Sequence, residues 1–252
     1  MHILLAAAAV SSLLAVAACS TAMTGSATAA GAPGPTVPCS FTATPTDPAP
    51  SGKSVGVPPK SAPKSGIATV ALATTAGTIT LSLDRTAAPC TVTSFVYLAQ
   101  HGFFDNTPCH RLTAYDDPPL KVLQCGDPTG TGTGGPGYTI PDENPTNLAA
   151  APASASAAAG TGEVIYPRGT LAMANTGEAH TGGSQFFIVY GDSYLPPSYA
   201  VFGTVPSAGQ AVLDTIAAAG ITPGNDPSTG QATPRDGAPT LKVTISKATA
   251  TP

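Results

Sequence analysis

Five side chains of this sequence are placed to do chemistry: Arg111, Gln124, Asn175, Gln185 and Phe187. Arg111 follows His110 at the end of the run Phe103 to Arg111. Gln124 opens Gln124-Cys125-Gly126-Asp127, and the other three lie between Gly169 and Val205. The set holds a guanidinium, amides and an aromatic face, with no obvious nucleophile or general base among them. Such a set binds and polarises a substrate and has no need to cut one. Other chemistries find no residues. Thr129 to Gly137 is glycine-rich but lacks the Lys-Ser/Thr of a phosphate loop. Gly182-Gly183-Ser184-Gln185-Phe186 lacks the final glycine of a nucleophile elbow. His2, His101, His110 and His180 show no metal-ligand spacing, so neither a metal nor a cofactor is expected.

The elements that position these residues read mainly as short strands. Ile67–Thr74 and Gly77–Leu83 are β-rich runs joined at Thr75-Ala76, with Ile79, Leu81 and Leu83 alternating with Thr and Ser. Strands are expected at Cys109–Thr113, Val122–Cys125, Gly169–Asn175, Gln185–Tyr190 and Ala200–Val205, with Leu241, Val243 and Ile245 in a closing strand. Parity sets Phe187 against Phe186, and Phe186 is the better core candidate. The joining run Ala114–Leu120 contains Asp116-Asp117-Pro118-Pro119, which cannot be a central strand. Helices are expected over Ala87–Gln100, with Gly102 just beyond, and over Ala208–Ala219. Leu148 to Gly160 is mostly Ala with Ser and Pro and reads as a surface loop.

Composition bounds the rest. The 252 residues suffice for one sizeable core with appendages, net charge is −4, and only 10% of residues are charged. No basic patch suggests nucleic acid. Residues 3 to 18 form an apolar run that is short for a membrane span. Val16-Ala17-Ala18-Cys19 resembles a bacterial lipobox, with Cys19 as the lipid attachment point, although Met1-His2 offers no basic n-region. The alternative is an ordinary cleaved signal and a secreted protein. Residues 19–65, studded with Pro, read as a disordered tether with a reach on the order of 40 Å. The expected organisation is a signal peptide over 1–18, this tether, a domain over 66–248 and a tail over 249–252.

Export makes the remaining cysteines a disulfide problem. Cys39, Cys90, Cys109 and Cys125 allow three connectivities. Cys109 and Cys125 flank a predicted hairpin, but parity places Cys109 on the face of Arg111 and Cys125 opposite Gln124. Pairings through Cys39 and Cys90 are therefore expected.

The segments Phe103 to Arg111, Leu123 to Tyr138 and Leu171 to Val205 resemble the cyclophilins, which are peptidyl-prolyl cis-trans isomerases. The resemblance covers roughly residues 66 to 248. It implies a mainly β fold, a closed eight-stranded antiparallel barrel capped by two helices, with the groove on the barrel's outer face. It implies Arg111 as the group that stabilises the twisted amide, with Gln124 and Gln185 bonding substrate or Arg111. Asn175, next to Ala174, would hold the substrate chain through its backbone. Phe187 would floor a proline pocket walled by Val122 and Leu195. Tyr194 stands where many members have a Trp that bonds cyclosporin, and Tyr199 where many have a His. Lys121 falls where an apolar pocket residue is expected. The resemblance thus implies catalysis on Pro-containing polypeptides outside the cytoplasm, weak cyclosporin binding and membrane attachment through the lipid alone. A non-catalytic module that captures Pro-containing partners is the rival reading; a protease or esterase has no supporting triad.

Overall fold

The computed structural model describes residues 34–44, 53–143, 145–152, 162–226 and 229–251. The expected signal peptide over 1–18 and Cys19 lie outside them. The chain begins with β1 (Thr36–Pro38), β2 (Thr42–Ala43) and β3 (Ser61–Pro63), then β4 (Ile67–Thr74), β5 (Gly77–Asp84) and helix α1 (Pro89–Gln100). Next come β6 (Thr107–Pro108), β7 (Arg111–Thr113), β8 (Tyr115–Asp116), β9 (Pro119–Cys125), β10 (Tyr138–Thr139) and β11 (Val164–Tyr166). The remainder is β12 (Thr170–Met173), β13 (Phe186–Gly191), β14 (Ser193–Leu195), β15 (Val201–Thr204), α2 (Ser207–Ala218), β16 (Ile221–Asn225), β17 (Ala232–Pro239) and β18 (Thr244–Thr251).

The principal sheet is antiparallel and curls back on itself. Its order runs β7-β9-β13-β12-β15-β5-β4-β18-β6. β6 and β7 belong to one stretch of chain, broken at Cys109-His110, which pairs with β18 at one end and β9 at the other. Counting that stretch once, the circuit has eight members. α1 packs on β4 and β18, and α2 on β5.

Alternation explains the ring. Ala68, Val70 and Leu72 of β4 and Ile79, Leu81 and Leu83 of β5 are buried, while most of the residues between them reach water. Phe95 of α1 lies 4.8 Å from Phe104 and 5.1 Å from both Phe186 and Phe202, centroid to centroid. All four rings are buried. Burying one such ring stabilises by roughly 1.5–3 kcal/mol, against about 0–1 kcal/mol for an exposed ion pair. This cluster, and not the surface pairs, holds the ring of strands together. α1 begins with Pro89, whose missing N–H costs nothing at that position. The Glu143 carboxylate then accepts from the backbone N–H groups of Cys90 (3.0 Å) and Thr91 (2.8 Å).

Several expectations change. The described parts of the supposed tether, 34–44 and 53–65, are folded onto the domain: β1 pairs with β3, β2 with β10, and Cys39 is bonded to Cys90. Pro-rich composition suggested a coil; the covalent staple and the neighbouring helix supply the order that composition could not. The expected pairing of Cys109 elsewhere is also corrected, because Cys109 and Cys125 are bonded to each other. The parity rule holds only along unbroken strand. It fails here because the chain changes partners at Cys109, whose N–H donates to Val243. β18 reaches Thr251 and takes in most of the expected tail. Of the Ala-rich run, Leu148–Pro152 are described and Ala150 bridges to Val164; residues 153–160 lie outside. β16 and β17, which carried no expectation, pair with each other on the edge beside β7.

Candidate active site

Three neighbouring strands build the site. β9 stands between β7 and β13, with Arg111 opposite Gln124 and Gln124 opposite Phe187. Register alone thus sets these three side chains in a row on one face. The alternate residues Leu112, Leu123 and Phe186 face the core.

A cavity of about 270 Å³ opens beside this row. Phe187, Val122, Leu120, Leu195 and Tyr199 line it with Ala174, and Arg111, Gln124 and Asn175 stand at it too. Phe187 is only 4% exposed, and its ring meets Tyr199 edge to face at 5.4 Å. Tyr166 supports this wall from behind. Its buried hydroxyl donates to the Pro196 carbonyl at 3.0 Å and accepts from the Tyr199 backbone N–H at 3.3 Å. Burial pushes that phenol up to about 12, so it stays a neutral donor.

Arg111 is held like a fork. Its Nε and Nη2 donate to the two oxygens of Asp236 at 2.8 and 2.7 Å, and Nη1 donates to Gln124 Oε1 at 3.3 Å. The bond to Asp236 raises the guanidinium pKa further, so the charge is permanent. A guanidinium has five N–H donors in a fixed plane. Three are engaged, leaving two on a side chain that lines the cavity. The chain of amides continues. Gln124 Nε2 donates to Gln185 Oε1 at 2.9 Å, and Gln185 Nε2 donates to the carbonyls of Gly132 (2.9 Å) and Gly134 (3.0 Å). Gly126 makes this approach possible. Its φ is +89°, and a Cβ there would meet the Ser184 carbonyl at 2.2 Å.

A second cavity of about 430 Å³ adjoins the first and shares Gln124, Ala174 and Asn175 with it. Gln185 lines this one and not the first. The Asn175 amide is committed to the protein: Nδ2 donates to the Ser198 carbonyl at 2.9 Å, and Oδ1 accepts from the Gly177 N–H at 3.0 Å.

The structure thus brings Arg111, Gln124, Phe187, Val122, Ala174, Asn175, Leu195 and Tyr199 to one cavity. Tyr194 stands apart: it lines neither cavity, because Leu195 turns inward and strand alternation turns its neighbour away. Lys121 does not take the apolar pocket position. Leu120 and Val122 do, while Lys121 pairs with Asp116 at 3.0 Å. Asp236, Leu120 and Tyr166 carried no expectation. Asp236 is 125 positions from Arg111, in a Gly- and Pro-rich stretch that carries no local pattern.

Comparison with known proteins decides the family. The model for cyclophilin type peptidyl-prolyl cis-trans isomerases matches residues 69–250. This chain belongs to the cyclophilin family. A Mycobacterium tuberculosis protein named probable peptidyl-prolyl cis-trans isomerase B is 52% identical over 176 residues, covering 70% of this cyclophilin and 52% of the relative. Its Mycobacterium leprae counterpart is 51% identical over 174 residues, covering 69% and 54%. The chain therefore spans about half the length of these relatives. Bacillus subtilis peptidyl-prolyl cis-trans isomerase B is 42% identical over 130 residues, covering 51% of this chain and 76% of the relative. Among solved structures, a Cryptosporidium parvum cyclophilin matches with TM-score 0.54 and 26% identity, over 74% of this chain and 99% of that one. The curled antiparallel sheet, with two helices among the described residues, is the cyclophilin architecture.

Proposed function

We propose that this cyclophilin accelerates cis-trans isomerisation of X-Pro bonds in polypeptides folding outside the cytoplasm. The observation that carries the reading is Arg111, clamped by Asp236, with two N–H groups spare at the edge of an apolar cavity floored by Phe187. Amide resonance sets the barrier at roughly 18–20 kcal/mol. Twisting the bond ends that resonance and leaves the proline nitrogen pyramidal, with a lone pair that accepts a hydrogen bond. A proline ring seated against Phe187 presents that nitrogen to the fixed guanidinium. The donor meets its acceptor only in the twisted state, so the interaction lowers the barrier and does not merely tighten binding. No bond breaks, and the reaction uses none of the side chains that a hydrolase needs. A related cyclophilin structure was obtained in the presence of the dipeptide Ala-Pro, a ligand of the size this cavity suits.

Arg111→Ala tests the reading. Turnover on a short Ala-Pro peptide should fall on the order of 10²–10³-fold, while the thermal melt stays that of a folded protein. Unchanged turnover in a folded variant sinks the assignment. Retained peptide affinity in a wild-type protein without turnover would select the rival, a capture module.

The same proposal places the protein on the outer side of the cell membrane, anchored through a lipid on Cys19. The lipobox-like Val16-Ala17-Ala18-Cys19 supports this, as do two disulfides, which persist in oxidising compartments. Cys19→Ser should release the protein from membranes or block maturation. Mass spectrometry of a native N-terminus that starts elsewhere and carries no acyl group would exclude the anchor. Cyclosporin binding is expected to be weak, since Tyr194 replaces an indole donor.

A further inference from the structure

We infer that the N-terminal segment ending at Thr44 is a wall of the substrate groove, and that the Cys39–Cys90 disulfide seats it there and so tunes which residues flanking the X-Pro pair are accepted. The inference rests on the reading of the first cavity as the proline site. The two cavities share Gln124, Ala174 and Asn175, so a polypeptide with its proline in the first extends a neighbouring residue into the second.

Thr44 lines that second cavity although it lies 25 residues ahead of the family match, which begins at residue 69. Several contacts hold it there. Its N–H donates to the Gly137 carbonyl at 2.8 Å, and β2 pairs with β10 through Ala43 opposite Tyr138. Phe41 meets the Tyr138 ring edge-on at 5.5 Å. Behind them, Cys39 is bonded to Cys90 in the first turn of α1, a turn that Glu143 fixes. Tyr138 is itself tied to α1 through Ser94 at 2.9 Å. The segment is thus anchored to the same helix as the cavity wall it extends.

Among the described residues, the lining of the second cavity contains no Asp, Glu, Lys or Arg; hydroxyls, glycines and Pro136 make up most of it. A charged flanking residue would lose water there and find no counter-ion. The groove therefore favours neutral residues beside the X-Pro pair, and a charge introduced at Thr44 should be read directly by the substrate.

The experiment uses the full oxidised protein and two peptide series, Xaa-Ala-Pro-Gly and Gly-Ala-Pro-Xaa, with Xaa as Leu, Lys or Glu. The readout is the Lys-to-Glu ratio of kcat/KM. Thr44→Asp should shift that ratio about fivefold toward Lys in one series, the size expected for a partly exposed charge pair. Cys39→Ser/Cys90→Ser should erase the shift in the Thr44→Asp background. If that combination does not fold, Phe41→Ala serves in its place, since it loosens the segment without touching the helix. A folded Thr44→Asp protein with the wild-type ratio in both series overturns the inference. A shift that survives both loosening variants overturns the role of the staple. If wild type turns over no peptide, the isomerase reading fails, and the same ratios measured as calorimetric affinities decide the inference alone.

Discussion

The two cavities sit side by side and are built by opposite means. The first takes Arg111, Gln124, Val122 and Phe187 from adjacent strands in direct register. The second takes its lining from the glycine-rich loop around Gly132–Pro136, from Thr176 and Thr181, and from an N-terminal segment held by a disulfide. Ladder hydrogen bonds between β7, β9 and β13 hold the first in register. In the second, loop residues change without breaking a sheet. Stabilising a twisted amide needs one donor at one place, whereas accepting many flanking residues does not. The division suits the proposed isomerase, whose chemistry would be constant and whose selectivity adjustable.

If the first region is a rigid device, its hardest test after Arg111 itself is the group that aims Arg111. Asp236→Asn keeps the shape but gives up the charge of the fork. We expect kcat/KM to fall about tenfold with the melt little changed, and Arg111→Ala to cost no more when added to Asp236→Asn than its own loss. Full activity in Asp236→Asn would show that Gln124 alone orients the guanidinium.

A smaller effect is expected where the two regions meet. The His110 ring is largely buried beside Gly132, and neither ring nitrogen has a hydrogen-bond partner among the described residues. Burial depresses its pKa, the charge of Arg111 depresses it further, and Asp127 opposes both. A depressed imidazole keeps the folded state neutral while the unfolded chain takes up a proton. Stability is therefore constant above about pH 6.5, the ordinary histidine value, and declines as pH falls below it toward the folded pKa. Thermal melts between pH 7.5 and 5.5 should show this decline, and His110→Gln should flatten it. An unflattened curve would assign the decline to carboxylates.

The smallest effect belongs to a residue outside both cavities. Tyr194→Trp should tighten cyclosporin inhibition no more than about fivefold, at the low end of the roughly 1–3 kcal/mol for a hydrogen bond to a desolvated partner. A drug titration of both proteins checks it. A hundredfold gain would mean that the side chain swings into the groove and that Leu195 does not exclude it.

Local pattern in the chain determined much of this. Alternation along Ile67–Thr74 and Gly77–Leu83 wrote the strands, Gly102 marked the end of the first helix, and the parity of Phe186 and Phe187 told core from pocket. The runs around Arg111, Gln124 and Phe187 named the site, because each residue's orientation follows from its neighbours within a regular strand. Tertiary structure decided the rest. Asp236 meets Arg111 across 125 positions, on a hairpin with no periodic signal. Cys109 finds Cys125 because the chain breaks at His110 and parity stops propagating there. Leu120, rather than Lys121, enters the pocket because the phase of β9 is set by its pairing with β7 and β13. Thr44 reaches the second cavity because β2 pairs with β10 while the Cys39–Cys90 disulfide holds the chain just before it on α1. A periodic signal lasts only as long as the strand or helix that repeats it. Contacts between distant segments depend on how those elements close on one another, and no local window of sequence contains that information.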